Sequence, residues 1–293
     1  MVERDDVGDP FVLPVPSGAA GDPDAQYVVF WTTDWQSNVP TAISRDLEHW
    51  GRVADALPVL PTWAKHSRTM TWAPTALGVA GGWVLYYSTA EASTGLECIG
   101  RAFATNPAGP YLDRSASPFV CQRSLGGDID PSVGRDDLGQ PSLVWKNDGN
   151  ARGRPTSIWQ QSLSTDGQSL IGIPHRLLGA DQAWQHNIVE GPAMLKATKG
   201  GWWLFYSGGA WQSTSYGTGV AWCVTVAGPC RDAASEPILA SKPGVVSPGG
   251  LETFVDHQGR LWAAYSAFPK RPASLEAAMA ENRVLELALV LAR

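Results

Sequence analysis

Tyr27-Val-Val-Phe-Trp31 is a short apolar run that closes on an aromatic side chain and is followed by a polar residue. The same pattern returns as Trp83-Val-Leu-Tyr-Tyr87, Ser142-Leu-Val-Trp145, Trp202-Trp-Leu-Phe-Tyr206 and Leu261-Trp-Ala-Ala-Tyr265. The closing aromatics lie 56, 58, 61 and 59 residues apart. A nearly constant spacing over a whole chain is the mark of a repeat architecture. Turns rich in Gly, Asp or Gln precede the later copies: Ala80-Gly-Gly82, Leu138-Gly-Gln140, Lys199-Gly-Gly201 and His257-Gln-Gly259. Each turn follows another apolar segment, so each unit opens with a β-hairpin. Further strands follow, as at Cys98 to Ala104 and Gly219 to Thr225, punctuated by Pro/Gly turns. The expected fold is all-β: a five-bladed β-propeller with four short antiparallel strands per blade, one domain over residues 1–293. A β-sandwich has no reason for a period near 59 residues, and a β-helix repeats at a much shorter one. Helix is expected only over Ser274 to Asn282, with Arg283 to Leu291 as a last strand.

The composition excludes several classes of function. The net charge is −6 and there is no run of Lys or Arg, so nucleic acid is not an expected partner. No apolar run approaches the roughly 20 residues that span a bilayer. The segment Met1 to Asp9 is acidic and lacks the basic and apolar regions of a secretory signal. The 14 Trp serve either as sheet cores or as platforms for sugar rings. Of the four cysteines none forms a CxxC pair, which argues against zinc. They read either as buried thiols or as two local disulfides, Cys98–Cys121 and Cys223–Cys230, the second reading implying an oxidising compartment.

In a propeller the first strand of each blade lines the axis. Counting back 15 residues from Tyr87, Trp145 and Tyr265, and 16 from Tyr206, places Trp72, Asp130, Gly250 and Glu190 at its exposed end; in blade one, where the hairpin loop Ser17 to Asp24 is longer, the matching strand opens at Asp9. Three of these five are acids, although Asp and Glu make up only 28 of 293 residues. Carboxyls crowded on one axis repel and shift one another's pKa, an arrangement that a fold does not need and a catalyst does. An acid pair beside an aromatic face suits glycoside hydrolysis, in which one carboxyl gives a proton to the leaving oxygen while another activates water. Trp35, Trp72, Trp211 and His186 are candidates for the walls of the pocket. The pair Glu97-Cys98 lies about ten residues past the blade-two hairpin, away from any inner-strand start.

Asp9-Pro-Phe11, Trp72-Ala-Pro74, Asp128-Ile-Asp-Pro-Ser132 and Val189-Glu-Gly-Pro192, taken in order at blade spacing, resemble glycoside hydrolase family 43. Tyr86-Tyr-Ser88, Phe205-Tyr-Ser207 and Thr41-Ala-Ile-Ser-Arg-Asp-Leu-Glu-His-Trp50 are similar to it as well. The resemblance implies an inverting enzyme with Asp9 as general base, Asp130 tuning and orienting the acid, and Glu190 as general acid. It implies arabinofuranosyl-type linkages as substrate, with β-xylosidase, galactofuranosidase or galactosidase action, or a non-catalytic sugar-binding propeller, as alternatives. The chain ends just after blade five, without the sandwich that closes the pocket of many β-xylosidases, which favours the arabinose reading. The resemblance also favours export, hence paired cysteines and an extracellular enzyme, and a monomer acting on an oligo- or polysaccharide, with no nucleic acid or membrane partner. No cofactor is expected: a channel calcium ion, which the family allows, would lack the blade-five His, replaced here by Ser247-Pro-Gly-Gly-Leu-Glu-Thr-Phe254.

Overall fold

The computed structural model describes residues 6–67, 70–274, 278 and 282–290, and these form five small antiparallel sheets in chain order. Blade 1 holds β1 (Phe11–Pro14), β2 (Tyr27–Phe30), β3 (Pro40–Ser44) and β4 (Trp50–Asp55). Blade 2 holds β5 (Thr71–Val79), β6 (Gly82–Ala90) and β7 (Glu97–Ala104). Blade 3 runs β8 (Asp128–Arg135), β9 (Pro141–Asn147), β10 (Ser157–Leu163) and β11 (Leu170–Gly179). Blade 4 runs β12 (Val189–Lys196), β13 (Trp202–Gly208), β14 (Gly217–Cys223) and β15 (Cys230–Asp232). Blade 5 holds β16 (Val246–Val255), β17 (Leu261–Phe268) and β18 (Val284–Leu289). The fold is the five-bladed β-propeller. Blades 2 and 5 carry three strands among the described residues rather than the expected four; beyond β7 the chain adds only single bridges, Ile99 to Val120 and Phe103 to Leu112. The helix expected over Ser274 to Asn282 falls largely outside the described residues.

Side chains alternate across a strand, so the second strand of each blade can serve two neighbours. Trp31 and Val29 face blade 5, where they meet Phe254 and Ala264, while Val28 and Phe30 face blade 2 and meet Leu85 and Tyr87. Tyr87 therefore points back to blade 1, and Trp145, Tyr206 and Tyr265 likewise point back to blades 2, 3 and 4. The repeated aromatic is thus the filling of each blade interface, always on the side of the preceding blade. The residue after it must face the following blade, and this decides what reaches the hub.

The ring closes between blades 5 and 1. The backbone N–H of Val7 donates to the carbonyl of Arg283 at 3.0 Å, and the Arg283 guanidinium clasps Asp6 through two bonds of 2.9 Å. Two disulfides are present: Cys98–Cys121 ties β7 to the segment that leaves blade 2, and Cys223–Cys230 joins the paired ends of β14 and β15.

Candidate active site

The inner strands of blades 2 to 5 break their pairing with the second strand at a bulge near the axis, between Trp72 and Thr75, Ile129 and Ser132, Glu190 and Ala193, and Gly249 and Glu252. At this turn the backbone enters the left-handed region: φ is 50° at Asp9, 44° at Ala73, 55° at Asp130, 53° at Gly191 and 60° at Gly250. In four of the five the next residue is proline: Pro10, Pro74, Pro131 and Pro192. Positive φ in a residue other than glycine is uncommon, and three instances around one axis mark a turn held by its surroundings. The register corrects the count made from sequence. Ala73 and Gly191, not Trp72 and Glu190, are the equivalents of Asp9, Asp130 and Gly250. The β5–β6 turn is tighter than the others, with Val79 paired to Gly82, and in blade 4 the count of 16 lands one residue early. Trp72 and Glu190 sit one position before the turn, as the last paired residues.

A hydroxyl secures these turns from the preceding blade. The Ala73 N–H donates to Thr32 Oγ1, the Asp130 N–H to Ser88 Oγ and the Gly250 N–H to Ser207 Oγ, each at 3.0 Å. Thr32, Ser88 and Ser207 are the residues that follow the closing aromatics. Blade 3 differs: the equivalent residue is Lys146, and the Gly191 N–H donates instead to Asp130 Oδ2 at 2.9 Å. The Lys146 ammonium, 1% exposed, donates to Glu190 Oε2 at 2.9 Å and stands 3.5 Å from Asp148 Oδ1. The other Glu190 oxygen, Oε1, accepts from the Tyr216 hydroxyl at 2.8 Å. Thr32 Oγ1 donates to Asp9 Oδ2 at 2.7 Å. Blade 5 contributes no acid at the turn but makes room for these groups. A Cβ on Gly249 would stand 2.1 Å from the Tyr216 ring, and one on Gly250 would stand 2.8 Å from Asp9 Oδ1.

Asp9, Asp130 and Glu190 line one cleft of about 520 Å³ at the mouth of the axis. Burial pushes the Asp9 carboxyl above its ordinary value; Arg283 and the Thr32 hydroxyl oppose the shift and the Glu190 charge adds to it. Asp130 is pushed up to about 8, first by burial, with Lys146 opposing and Glu190 and Asp9 reinforcing. Burial works against the Lys146 ammonium, yet Glu190, Asp130 and Asp148 together outweigh it and hold its pKa above the ordinary lysine value. Burial, then the Glu190 and Asp9 charges, keep the Tyr216 phenol protonated and so a donor. The cleft therefore holds carboxyls whose proton affinities have been driven upward, the condition for acid–base work near neutral pH.

Trp35, Trp72 and Trp211 line the cleft with the acids. Trp35 is 58% exposed on a left-handed turn, its N–H donating to Thr33 Oγ1. Trp211 is partly covered by Phe268 at 6.3 Å and by the Arg283 guanidinium at 5.3 Å from its ring. His186 is not among the residues that line the cleft. It is exposed at the end of the 3₁₀ turn Ala183–Gln185, and the inward-facing residue there is Gln185, bonded to the Tyr206 hydroxyl at 2.8 Å. Thr32, Lys146, Tyr216 and Arg283 escaped the sequence reading. The first two follow closing aromatics and were accessible to a register argument; Tyr216 and Arg283 stand just ahead of β14 and β18, and although Arg283 opens the last strand expected from the sequence, nothing in the repeat marks either residue for the axis. Below the acids a narrow channel of about 30 Å³ is lined by Pro74, Pro131, Pro192 and Glu252. Among the described residues the one grouping with metal-ligand spacing is Glu91, Cys98 and Cys121, and its two sulfurs are bonded to each other.

A five-bladed propeller that gathers carboxyls from three blades beside tryptophan faces is the architecture of a class of glycoside hydrolases. The chain belongs to glycosyl hydrolases family 43, whose sequence model matches residues 11–287. No curated protein matches the sequence. Among solved structures, a thermostable family-43 glycoside hydrolase aligns with a TM-score of 0.82 at 22% identity, over 98% of this chain and 90% of its own. An endo-arabinase from Bacteroides thetaiotaomicron VPI-5482 aligns with a TM-score of 0.79 at 18% identity, over 100% and 96%. An α-L-arabinanase from Cellvibrio cellulosa, solved with arabinohexaose, aligns with a TM-score of 0.73 at 21% identity, over 97% and 91%. At these identities the likeness is one of fold.

Proposed function

We propose that this glycoside hydrolase cleaves arabinofuranosyl-type linkages with inversion, using Asp9 as base and Glu190 as acid. The observation that carries the reading is the convergence of Asp9, Asp130 and Glu190 on one cleft beside Trp35 and Trp72. Asp9 removes a proton from water as the water oxygen attacks the anomeric carbon. Glu190 gives its proton to the glycosidic oxygen as the bond to that carbon breaks. Glu190 accepts one bond at each oxygen, so each keeps a further lone pair able to carry the acid proton. Asp130 accepts the Gly191 N–H and so anchors the residue next to the acid. The arabinose preference draws on the arabinanase and endo-arabinase among the similar structures. A specific alternative is a xylan-type linkage, since an endo-1,4-β-xylanase from Bacteroides thetaiotaomicron VPI-5482 also shares the fold at a TM-score of 0.75. The two disulfides support an extracellular enzyme, because such bonds persist in oxidising compartments.

Hydrolysis of a panel of nitrophenyl furanosides and pyranosides, with Asp9→Ala alongside, tests the reading. Release from the α-L-arabinofuranoside that is lost in the variant supports it. Release from the β-D-xylopyranoside alone transfers the same mechanism to the alternative, and release that survives in Asp9→Ala removes Asp9 as base.

A further inference from the structure

Four of the five residues that follow the closing aromatics are hydroxylic: Thr32, Ser88, Ser207 and Ser266. In three of the blades that residue performs the same structural task, accepting an N–H of the next blade's turn. A serine in blade 3 would satisfy the fold equally. The chain has instead a lysine, fully buried, where an isolated ammonium is costly to desolvate. The task that the hydroxyl would have performed has moved to Asp130 Oδ2, which accepts the Gly191 N–H. The lysine is therefore not an accident of packing; the junction has been rebuilt around it.

We propose that Lys146 is the positioning residue that sets the acid strength of Glu190, its buried ammonium bonded to Oε2 as the counter-charge to the acid. This rests on the reading of Glu190 as the acid. The charged and titratable groups gathered there are Lys146 on β9, Asp130 on β8, Asp9 ahead of β1, Asp148 in the loop after β9 and Tyr216 ahead of β14. Arg283 acts on Asp9 from the blade 5 side, and Arg152 on Asp148 from the loop. Asp9, Asp130 and Asp148 all interact electrostatically with Glu190 in this cleft. Lys146 is the one cation in hydrogen-bond contact with Glu190 among the described residues, and its charge is opposite to theirs. An opposite charge at this range lowers a carboxyl pKa by about one to three units. Removing it is expected to move the alkaline limb of kcat/KM upward by that amount. The acidic limb, set by Asp9, stays, because Asp9 takes its compensating charge from Arg283.

The test is the pH dependence of kcat/KM on 4-nitrophenyl α-L-arabinofuranoside for the wild type, Lys146→Met, Lys146→Gln and Lys146→Arg. Gln keeps an N–H donor without the charge, and Arg keeps the charge. The expected result is an alkaline limb displaced upward by about one to three units in both neutral variants, and one near the wild-type position in Lys146→Arg. An unmoved limb in a folded neutral variant, with activity merely reduced, overturns the proposal and leaves Lys146 a packing residue. Should neither neutral variant fold, Lys146→Arg decides: a limb at the wild-type position supports the proposal and a displaced one overturns it. Carbon-13 titration of Glu190 in side-chain-labelled protein, assigned with Glu190→Gln, reads the same shift without any substrate. It separates failure of this proposal from failure of the catalytic reading, which would show as Glu190→Gln retaining full activity.

Discussion

The junction between blades 4 and 5 and the junction between blades 3 and 4 have the same frame and different contents. At the first, a serine hydroxyl, Ser207, accepts the Gly250 N–H, and two glycines clear the space behind it. At the second, the hydroxyl is replaced by Lys146, the turn N–H is handed to Asp130, and Glu190 stands at the last paired position of its strand. The first junction is what the fold requires. The second departs from it at several adjacent points, each placing a charged group where a neutral one would serve. Three of the five interfaces share one structural solution, and the junction that puts charge in place of the hydroxyl is the one that carries Glu190.

The comparison implies an order of effects. Glu190→Gln removes the proton donor and lowers kcat by about a hundred- to ten-thousandfold, and it lowers the melting temperature as well, because the buried Lys146 ammonium loses an ion-pair partner. Gly249→Ala puts a methyl group into the Tyr216 ring, so the Tyr216 hydroxyl leaves Glu190. Activity should fall by about tenfold or more through loss of one hydrogen bond to a charged group, seen as lower kcat rather than higher KM. Trp35→Ala, at the exposed rim, should raise KM about three- to tenfold on an oligosaccharide, the loss of one stacking face, with kcat little changed. Ser88→Ala leaves the Asp130 N–H without its acceptor and should cost about 1–3 kcal/mol of stability, measured by denaturant melts. Equal losses of activity from Ser88→Ala and Glu190→Gln would break the distinction between the framework junctions and the catalytic one.

A pH test sharpens the same contrast. Asp130 is raised from an ordinary 3.8 to about 8 by burial, so its protonated form is favoured by the fold. That contribution is complete below the unfolded value near 4 and is lost as the pH rises through about 8. Asp130→Asn keeps a side chain that tolerates positive φ and an oxygen for the Gly191 N–H, and it removes the buried charge. Its melting temperature relative to wild type should therefore rise between pH 5 and pH 9, while activity falls. A constant difference across that range would mean that Asp130 carries no buried charge.

Much of this was legible in the sequence, for definite reasons. The closing aromatics Trp31, Tyr87, Trp145, Tyr206 and Tyr265 repeat because each fills the same space against the preceding blade. The acids Asp9, Asp130 and Glu190 stood out because carboxyls are scarce in the chain and fell near the same phase of the repeat. The phase itself was misjudged by one residue at Trp72 and Glu190, since hairpin turns differ in length and a count carries that difference inward. His186 was chosen by proximity in sequence, which does not say which way a residue points on a 3₁₀ turn. Tyr216 and Arg283 reach the cleft from positions just ahead of β14 and β18, outside the repeat of closing aromatics, where only the folded chain shows what approaches what.

The most direct test of the central claim follows the anomeric centre. Proton NMR of a linear α-1,5-arabino-oligosaccharide during the first minutes of hydrolysis identifies the anomer released before mutarotation. A base and an acid acting from opposite sides through one displacement predict the β-anomer as first product, absent with Glu190→Gln. First release of the α-anomer would mean retention, a covalent intermediate, and a different division of labour among the three hub acids.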